Sequence, residues 1–328
     1  IMKQKYFFLT LFICLSQLLS AQIVNIPDVN FKNALVNGLG NAYLYDDCCP
    51  TNMDVNNDGE IQVSEAENVR GLLLGYEDII SLQGLEAFVN LKSLLCTGNP
   101  LESIDVSNNP LLETLDVLNC GIDDLDVSQN NNLIVLRCYG NDLTSLDVSQ
   151  KPNLETLICR DNYLTSLNIS QTPSLDFLDC QNNNLTAIDL SQSPALEIFE
   201  GNQNEITALD VTNNPNLIAL RFRWNLVETI DLSQNSNLSS LNCYYNRLTE
   251  LDVTQNPLLY TLFAEYNMLT SLDVSQNPNL NWLNCTGNDI TELDLSNNSN
   301  LNTLDCSYND LQAILMKNGG MINDLNFA

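Results

Sequence analysis

Leu133-Ile-Val-Leu136-Arg-Cys138-Tyr-Gly-Asn141-Asp-Leu143-Thr-Ser-Leu146-Asp147-Val148-Ser-Gln-Lys-Pro-Asn153 is followed at once by Leu154-Glu-Thr-Leu157-Ile-Cys159-Arg-Asp-Asn162-Tyr-Leu164-Thr-Ser-Leu167-Asn168-Ile169-Ser-Gln-Thr-Pro-Ser174. The same 21-residue pattern runs in both directions from this pair, so that residues 91–321 form eleven rungs without a gap. Leucine holds the first position of every rung, from Leu91 to Leu301, and the fourth position of every rung except at Phe199. Asparagine holds the ninth, from Asn99 to Asn309, except at Cys120. A fixed period of this length signals a repeat architecture.

The alternation Leu-x-Leu/Cys predicts a short strand with its apolar residues on one side. One such strand cannot bury that side alone, and stacking the rungs makes a parallel sheet over a shared core. The asparagine amide suits a buried ladder of hydrogen bonds to backbone where each coil turns. The Ser/Thr-x-Asn-Pro endings carry turn chemistry. Residues 69–90 read as one atypical rung of 22. Seven cysteines share the sixth position (Cys96, Cys138, Cys159, Cys180, Cys243, Cys285 and Cys306). They read as small hydrophobic core residues rather than disulfide partners, because stacked side chains point the same way.

Aspartates also align, from Asp105 through Asp294, with Asn168 interrupting. Unit charges about 4.8 Å apart repel by roughly 0.9 kcal/mol even in water. Hydrogen bonds from the turn that follows each Asp are the expected offset, with a line of divalent cations as the alternative.

With its repeat N-x-L-T-x-L-D-V-S-x-N-P-x-L, the chain from about residue 24 onward resembles secreted bacterial leucine-rich-repeat proteins of the internalin-like type. The resemblance implies an α/β repeat solenoid: a curved leucine-rich-repeat array of short parallel strands and turns with little helix, behind a small helical N-terminal cap. It implies adhesion or ligand binding without naming a ligand. The chain departs from the wider superfamily in having Cys where Leu is common and in lacking helices within its rungs.

Lys3 and Lys5, the apolar run Tyr6 to Leu19 and Ser20-Ala21-Gln22 read as a signal peptide over residues 1–21, cleaved after Ala21. The expected location is therefore secreted or on the cell surface, with no membrane insertion. Ile322-x-x-Leu325-x-Phe327 restarts a rung over residues 322–328, so the array is expected to continue past Ala328. Twelve basic residues face 41 acidic ones, which argues against nucleic acid or anionic lipid as partner. Histidine is absent, which removes the commonest general base. With no nucleophile motif or phosphate loop either, the chain reads as a binding protein and not an enzyme.

Residues 22–68 form the expected cap. Within it, residues 54–65 (Asp54-Val-Asn56-Asn-Asp58-Gly59-Glu60-Ile61-Gln62-Val-Ser64-Glu65) match the calcium loop of an EF-hand. Asp54, Asn56, Asp58 and Glu65 would offer side-chain oxygens, Glu60 its carbonyl, and Gln62 would act through water. A structural Ca2+ is the only cofactor expected, against a metal-free acidic turn. Ser64-Glu65-Ala66-Glu67 reads as a capping box for an exiting helix, and a second helix is expected over 28–36. Cys48 and Cys49 lie side by side in a polar loop and are candidates for oxidation.

The exposed strand face is where repeat proteins bind partners. At its fifth position Asp116 precedes Arg137 and Glu200 precedes Arg221, so charges cancel between neighbours. At its seventh, Tyr139 lies beside Arg160 and Arg223 beside Tyr244, pairs suited to cation–π stacking. Trp224, Tyr245 and Tyr266 occupy the eighth position of successive rungs. Arginines with aromatics mark contact sites for a protein or glycan. Ladder stacking that only stabilises the coils is the competing explanation, and a spacer in a larger surface protein the competing role.

Overall fold

The computed structural model describes residues 22–37 and 53–316, and the backbone of 42–44 and 324–326. The expected signal peptide, the Cys48–Cys49 pair and most of 322–328 lie outside the described residues. The chain divides into two compact units, Ile1–Leu143 and Thr144–Ala328. Each is a parallel β-solenoid of leucine-rich repeats with little helix.

In the first unit the chain runs through helix α1 (Val29–Asn37), β1 (Ala42–Leu44), a single-turn helix α2 (Val63–Ala66), β2 (Val69–Leu73), a 3-10 turn (Leu85–Ala87), β3 (Ser93–Leu95), β4 (Thr114–Asp116) and β5 (Val135–Arg137). β1 lies antiparallel on β2, and β2 to β5 follow in order as parallel neighbours. Gly71 pairs with Ser93, an offset of 22, whereas Ser93 pairs with Thr114 and Thr114 with Val135, the regular 21.

α1 buries Phe31, Ala34 and Leu35. Asp28 caps it, one carboxylate oxygen accepting the Phe31 amide at 2.9 Å. The other oxygen takes the amides of Ile80 and Ser81, at 2.8 and 3.0 Å, and so ties the cap to the atypical rung. Partial burial pushes the Asp28 carboxyl up, but these amides outweigh it and hold the group below its ordinary value. α2 begins two residues earlier than the Ser64 box would place it. Its Glu65 carboxylate reaches back to the Gln62 amide at 2.9 Å, and Ser64 sits inside the helix.

The second unit holds β6 (Ser145–Asp147), β7 (Thr156–Ile158), β8 (Ser166–Asn168), β9 (Phe177–Asp179), β10 (Ile198–Glu200), β11 (Ala219–Arg221), β12 (Ser240–Asn242), β13 (Thr261–Phe263), β14 (Trp282–Asn284), β15 (Glu292–Asp294), β16 (Thr303–Asp305), β17 (Ala313–Leu315) and β18 (Asp324–Asn326). β7, β9 to β14, β16 and β18 make its main parallel sheet, while β6–β8 and β15–β17 make two-stranded ones. Each strand is three residues long, so one side chain points in and its two neighbours out. The first- and fourth-position leucines and the cysteine column are buried throughout. Those cysteines are free thiols. Burial drives Cys138 up to about 12, far from a reactive thiolate.

Two polar ladders brace this core. At the ninth position Asn225 is typical. Its Oδ1 accepts the Ile206 amide at 2.9 Å, and its Nδ2 donates to the carbonyls of Gly201 and Phe222 at 2.9 and 3.0 Å. The second ladder, at the nineteenth position, falls in what the sequence presents as plain turns. Asn256 there is fully buried and donates to the carbonyls of Leu232 and Asn235, at 3.2 and 2.9 Å. The aspartate column meets its own turns as expected, Ser107, Ser128, Ser149 and their counterparts each donating an amide to the Asp two residues back at 2.8–2.9 Å.

Candidate functional site

The eighth position of each regular rung turns through left-handed backbone. In the second unit Asp161, Asn182, Gln203, Trp224, Tyr245, Tyr266 and Tyr308 all have φ between 49° and 57°, and Gly287 has φ 65°. Glycine and asparagine adopt this conformation readily, whereas a bulky residue there costs about 1–3 kcal/mol. Trp224, Tyr245 and Tyr266 occupy it in consecutive rungs and are 46%, 39% and 42% exposed.

The three rings form one stack. Trp224 and Tyr245 lie 4.1 Å apart and 4° from parallel, and Tyr245 and Tyr266 4.8 Å apart at 25°. Tyr266 in turn leans over Gly287, where a Cβ would fall 2.7 Å from its ring. The half-buried Tyr244 meets the stack edge-on, against Trp224 at 5.7 Å, Tyr245 at 4.8 Å and Tyr266 at 5.7 Å. Their neighbouring seventh positions suit Tyr244 and Arg223 to a cation–π contact. The ring contacts of Tyr244 are instead with other rings, because left-handed backbone aims the neighbouring aromatics at it. The exposed Arg223 stays near enough for its charge to oppose the rise of the Tyr244 hydroxyl, which desolvation chiefly causes.

Beside Tyr244 in the seventh column stands Glu265, the one acid at that position among the eleven rungs. Its side chain is buried, and its Oε2 has no hydrogen-bond partner. Desolvation raises its carboxyl to about 7, with Asp305 adding to the rise and its own backbone amide opposing it. The sequence marked this residue only as the exception in a column of neutral and basic side chains.

The other three arginines of the strand face are engaged by acids. Arg221 is paired with Glu200. Arg160 reaches Asp161 and Asp179, each at 3.7 Å. Burial dominates the raised carboxyl of Asp179. In the first unit Arg137 reaches Asp116 at 3.8 Å, and Tyr139 is half-buried two residues further on. The cluster of Arg223, Trp224, Tyr244, Tyr245 and Tyr266 therefore comes together, while Arg137, Tyr139 and Arg160 belong to other rungs.

The loop 54–65 closes on itself. The buried Asp54 accepts the amides of Asp58 and Gly59 at 3.1 and 2.9 Å, and Glu65 accepts those of Val55 and Gln62 at 2.8 and 2.9 Å. Gln62 Nε2 donates to both oxygens of Asp58, at 3.2 and 3.0 Å, and Asn56 Nδ2 donates to one at 2.9 Å. Lys32 on α1 lies 2.6 Å from Glu60. Among the described residues, no group of three or more acidic or cysteine side chains converges as a metal site. Side-chain amides face the Asp58 carboxylate instead.

No family profile matches the chain, and no curated protein matches it in sequence. Solved structures do. The functional domain of InlJ from Listeria monocytogenes, which includes a cysteine ladder, is 29% identical with a TM-score of 0.75, over 90% of this chain and 70% of that one. An internalin from the same organism, InlF, is 18% identical with a TM-score of 0.69, over 92% and 91%. A leucine-rich-repeat protein of Leptospira interrogans is 24% identical with a TM-score of 0.68, over 80% and 75%. No helix among the described residues is long and apolar enough to cross a membrane. In fold the chain is thus a leucine-rich-repeat solenoid similar to the bacterial internalins.

Proposed function

We propose that the chain is a secreted or surface-exposed recognition module that takes a protein ligand at Arg223, Trp224, Tyr244, Tyr245 and Tyr266. One observation carries this reading: three exposed aromatic rings sit at backbone positions that glycine or asparagine fills without strain in sister rungs. Each stacked pair returns about 0.5–1.5 kcal/mol, no more than the strain it offsets. Coil stability alone therefore does not account for the rings. Exposed Tyr and Trp beside Arg have the composition of a contact hot spot. A protein suits the cluster better than a glycan, because stacking covers both faces of Tyr245 and one face each of Trp224 and Tyr266. A sugar ring needs an open face.

The test replaces Trp224, Tyr245 and Tyr266 together by glycine, which the left-handed backbone accepts. Wild type and variant are screened on arrays of extracellular protein domains and of glycans. A protein ligand bound by wild type and lost at least tenfold by the variant, with Tm held within a few degrees, supports the proposal. Signals confined to glycans replace the ligand class, and equal binding by both proteins moves the site elsewhere.

For the loop 54–65 we propose a structural Ca2+. Its donors are all hard oxygens in calcium-loop order, and the ion would require Asn56 and Gln62 to turn their amide oxygens inward. Calorimetric titration after chelator treatment is expected to find about one site, absent in Asp58→Ala, with a rise in Tm. Heat that survives the substitution, or none in wild type, defeats it.

A further inference from the structure

Cys120 stands where the other ten regular rungs have asparagine. In the next rung, Asn141 donates to the carbonyls of Val117 and Cys138, twenty-four and three residues back, at 2.8 and 2.9 Å. Cys120 keeps the longer tie, its Sγ lying 3.2 Å from the carbonyl oxygen of Cys96. That partner is the sixth-position cysteine of the preceding rung. The Cys96 thiol itself turns to the carbonyl of Asp116 at 3.6 Å, and both side chains are buried.

Elsewhere in the cysteine column, neighbours are related by one rung's translation. Their Cβ vectors run parallel, which disfavours the crossed geometry of a disulfide. Cys96 and Cys120 approach from the sixth and ninth positions of their rungs, and the offset lifts that restriction. The surroundings also distinguish the two sulfurs. Proximity to the Cys96 thiol, and to the amides of Asn99 and Gly98, holds the Cys120 sulfur below an ordinary thiol despite its burial. The same contact, with burial, holds Cys96 well above. Cys120 is therefore the better thiolate of the pair.

We propose that Cys96 and Cys120 form a disulfide that staples the first two regular rungs, made by exchange with a small-molecule or oxidoreductase disulfide as those rungs close. The Cys120 thiolate attacks one sulfur of the incoming disulfide and displaces the other as a thiolate. Cys96, giving up its proton, then attacks the Cys120 sulfur of the mixed disulfide and expels the second thiolate. One disulfide is reduced to two thiols, two cysteines are oxidised, and the two protons go to the departing thiolates. The bond would join Cys120 to the same residue, twenty-four back, whose carbonyl its thiol meets.

The test is to refold the purified full chain in a glutathione redox buffer, alkylate it under denaturing conditions and map its peptides by mass. The expected result is a linked peptide pair carrying Cys96 and Cys120, about 2 Da lighter than its reduced parts, with Cys138, Cys159, Cys180, Cys243, Cys285 and Cys306 alkylated. Reductant should lower the wild-type Tm by roughly 5–10 °C. Cys120→Asn, which restores the column's own residue, should abolish the link and make Tm insensitive to reductant. Full alkylation of both cysteines under conditions that oxidise a control dithiol overturns the proposal. So does a link formed as readily between stacked neighbours such as Cys138 and Cys159.

Discussion

At the fourth position of its rung Phe199 replaces leucine, and two residues on Gly201 replaces the usual cysteine. A Cβ at Gly201 would fall 2.4 Å from the Phe199 ring, so the larger ring occupies the space the missing side chain leaves. Both exceptions are visible in the sequence, but their coupling appears only once the coil closes. Glu265 was legible in the same partial way, as an odd letter in a column. Its chemistry depends on how far Tyr244 and the next rung seal it from water.

The raised carboxyl of Glu265 means that the folded state holds a proton that the unfolded state releases near 4.5. Its contribution is fully present below that value and is lost as pH rises through about 7. Glu265→Gln, neutral at every pH, is expected to match wild type near pH 4 and to exceed it at pH 8 by ~3 kcal/mol. Denaturant unfolding of both proteins at the two pH values measures the difference. Equal stabilities at pH 8 would mean that the carboxylate is solvated after all.

At the scale of the element, a three-residue strand has little stability of its own, and the turns bind it to its neighbours. The ninth-position asparagine satisfies one amide and at least two carbonyls from inside the coil. Removing it strands them where water does not reach. Asn225→Ala is expected to cost about 3 kcal/mol, read as a lower urea midpoint at unchanged m-value. A loss under about 0.5 kcal/mol would show that the coil recruits water or relaxes.

The asparagine ladder was readable because its period matched the leucines and the residue is polar. The nineteenth-position ladder was not, since Asn-Pro endings look like exposed turns and nothing local signals burial. The α2 box was misplaced for a related reason: Ser64 and Gln62 both offer a start, and the calcium-like loop, which ties Gln62 to Asp58, decides between them.

For the whole molecule, the period was enough to give the fold class, the parallel register of 21 and the inward columns. The division into two compact units was not foreseen, because the repeat runs across residue 143 without interruption. Nor was the left-handed eighth position. Glycine and asparagine hint at it in some rungs, but Trp224, Tyr245 and Tyr266 hide it in others. The excess of 29 negative charges is tolerated partly because many of the aspartates serve their own turns. The carboxyls of Asp189, Asp210, Asp231 and Asp252 are held below the ordinary range by the Ser or Thr two residues on.

The ladder bonds of each rung span no more than twenty-four residues, and the strand pairings span twenty-one. Copying or deleting a complete 21-residue block inside one unit therefore rejoins each bonding group to an equivalent partner. Removing a single residue offsets two ladders and a strand at once. Lineages carrying this architecture should accordingly vary in steps of whole rungs, with recombination between near-identical coding segments as the natural source of variation. The eighth position could then diversify from copy to copy while the scaffold stays constant.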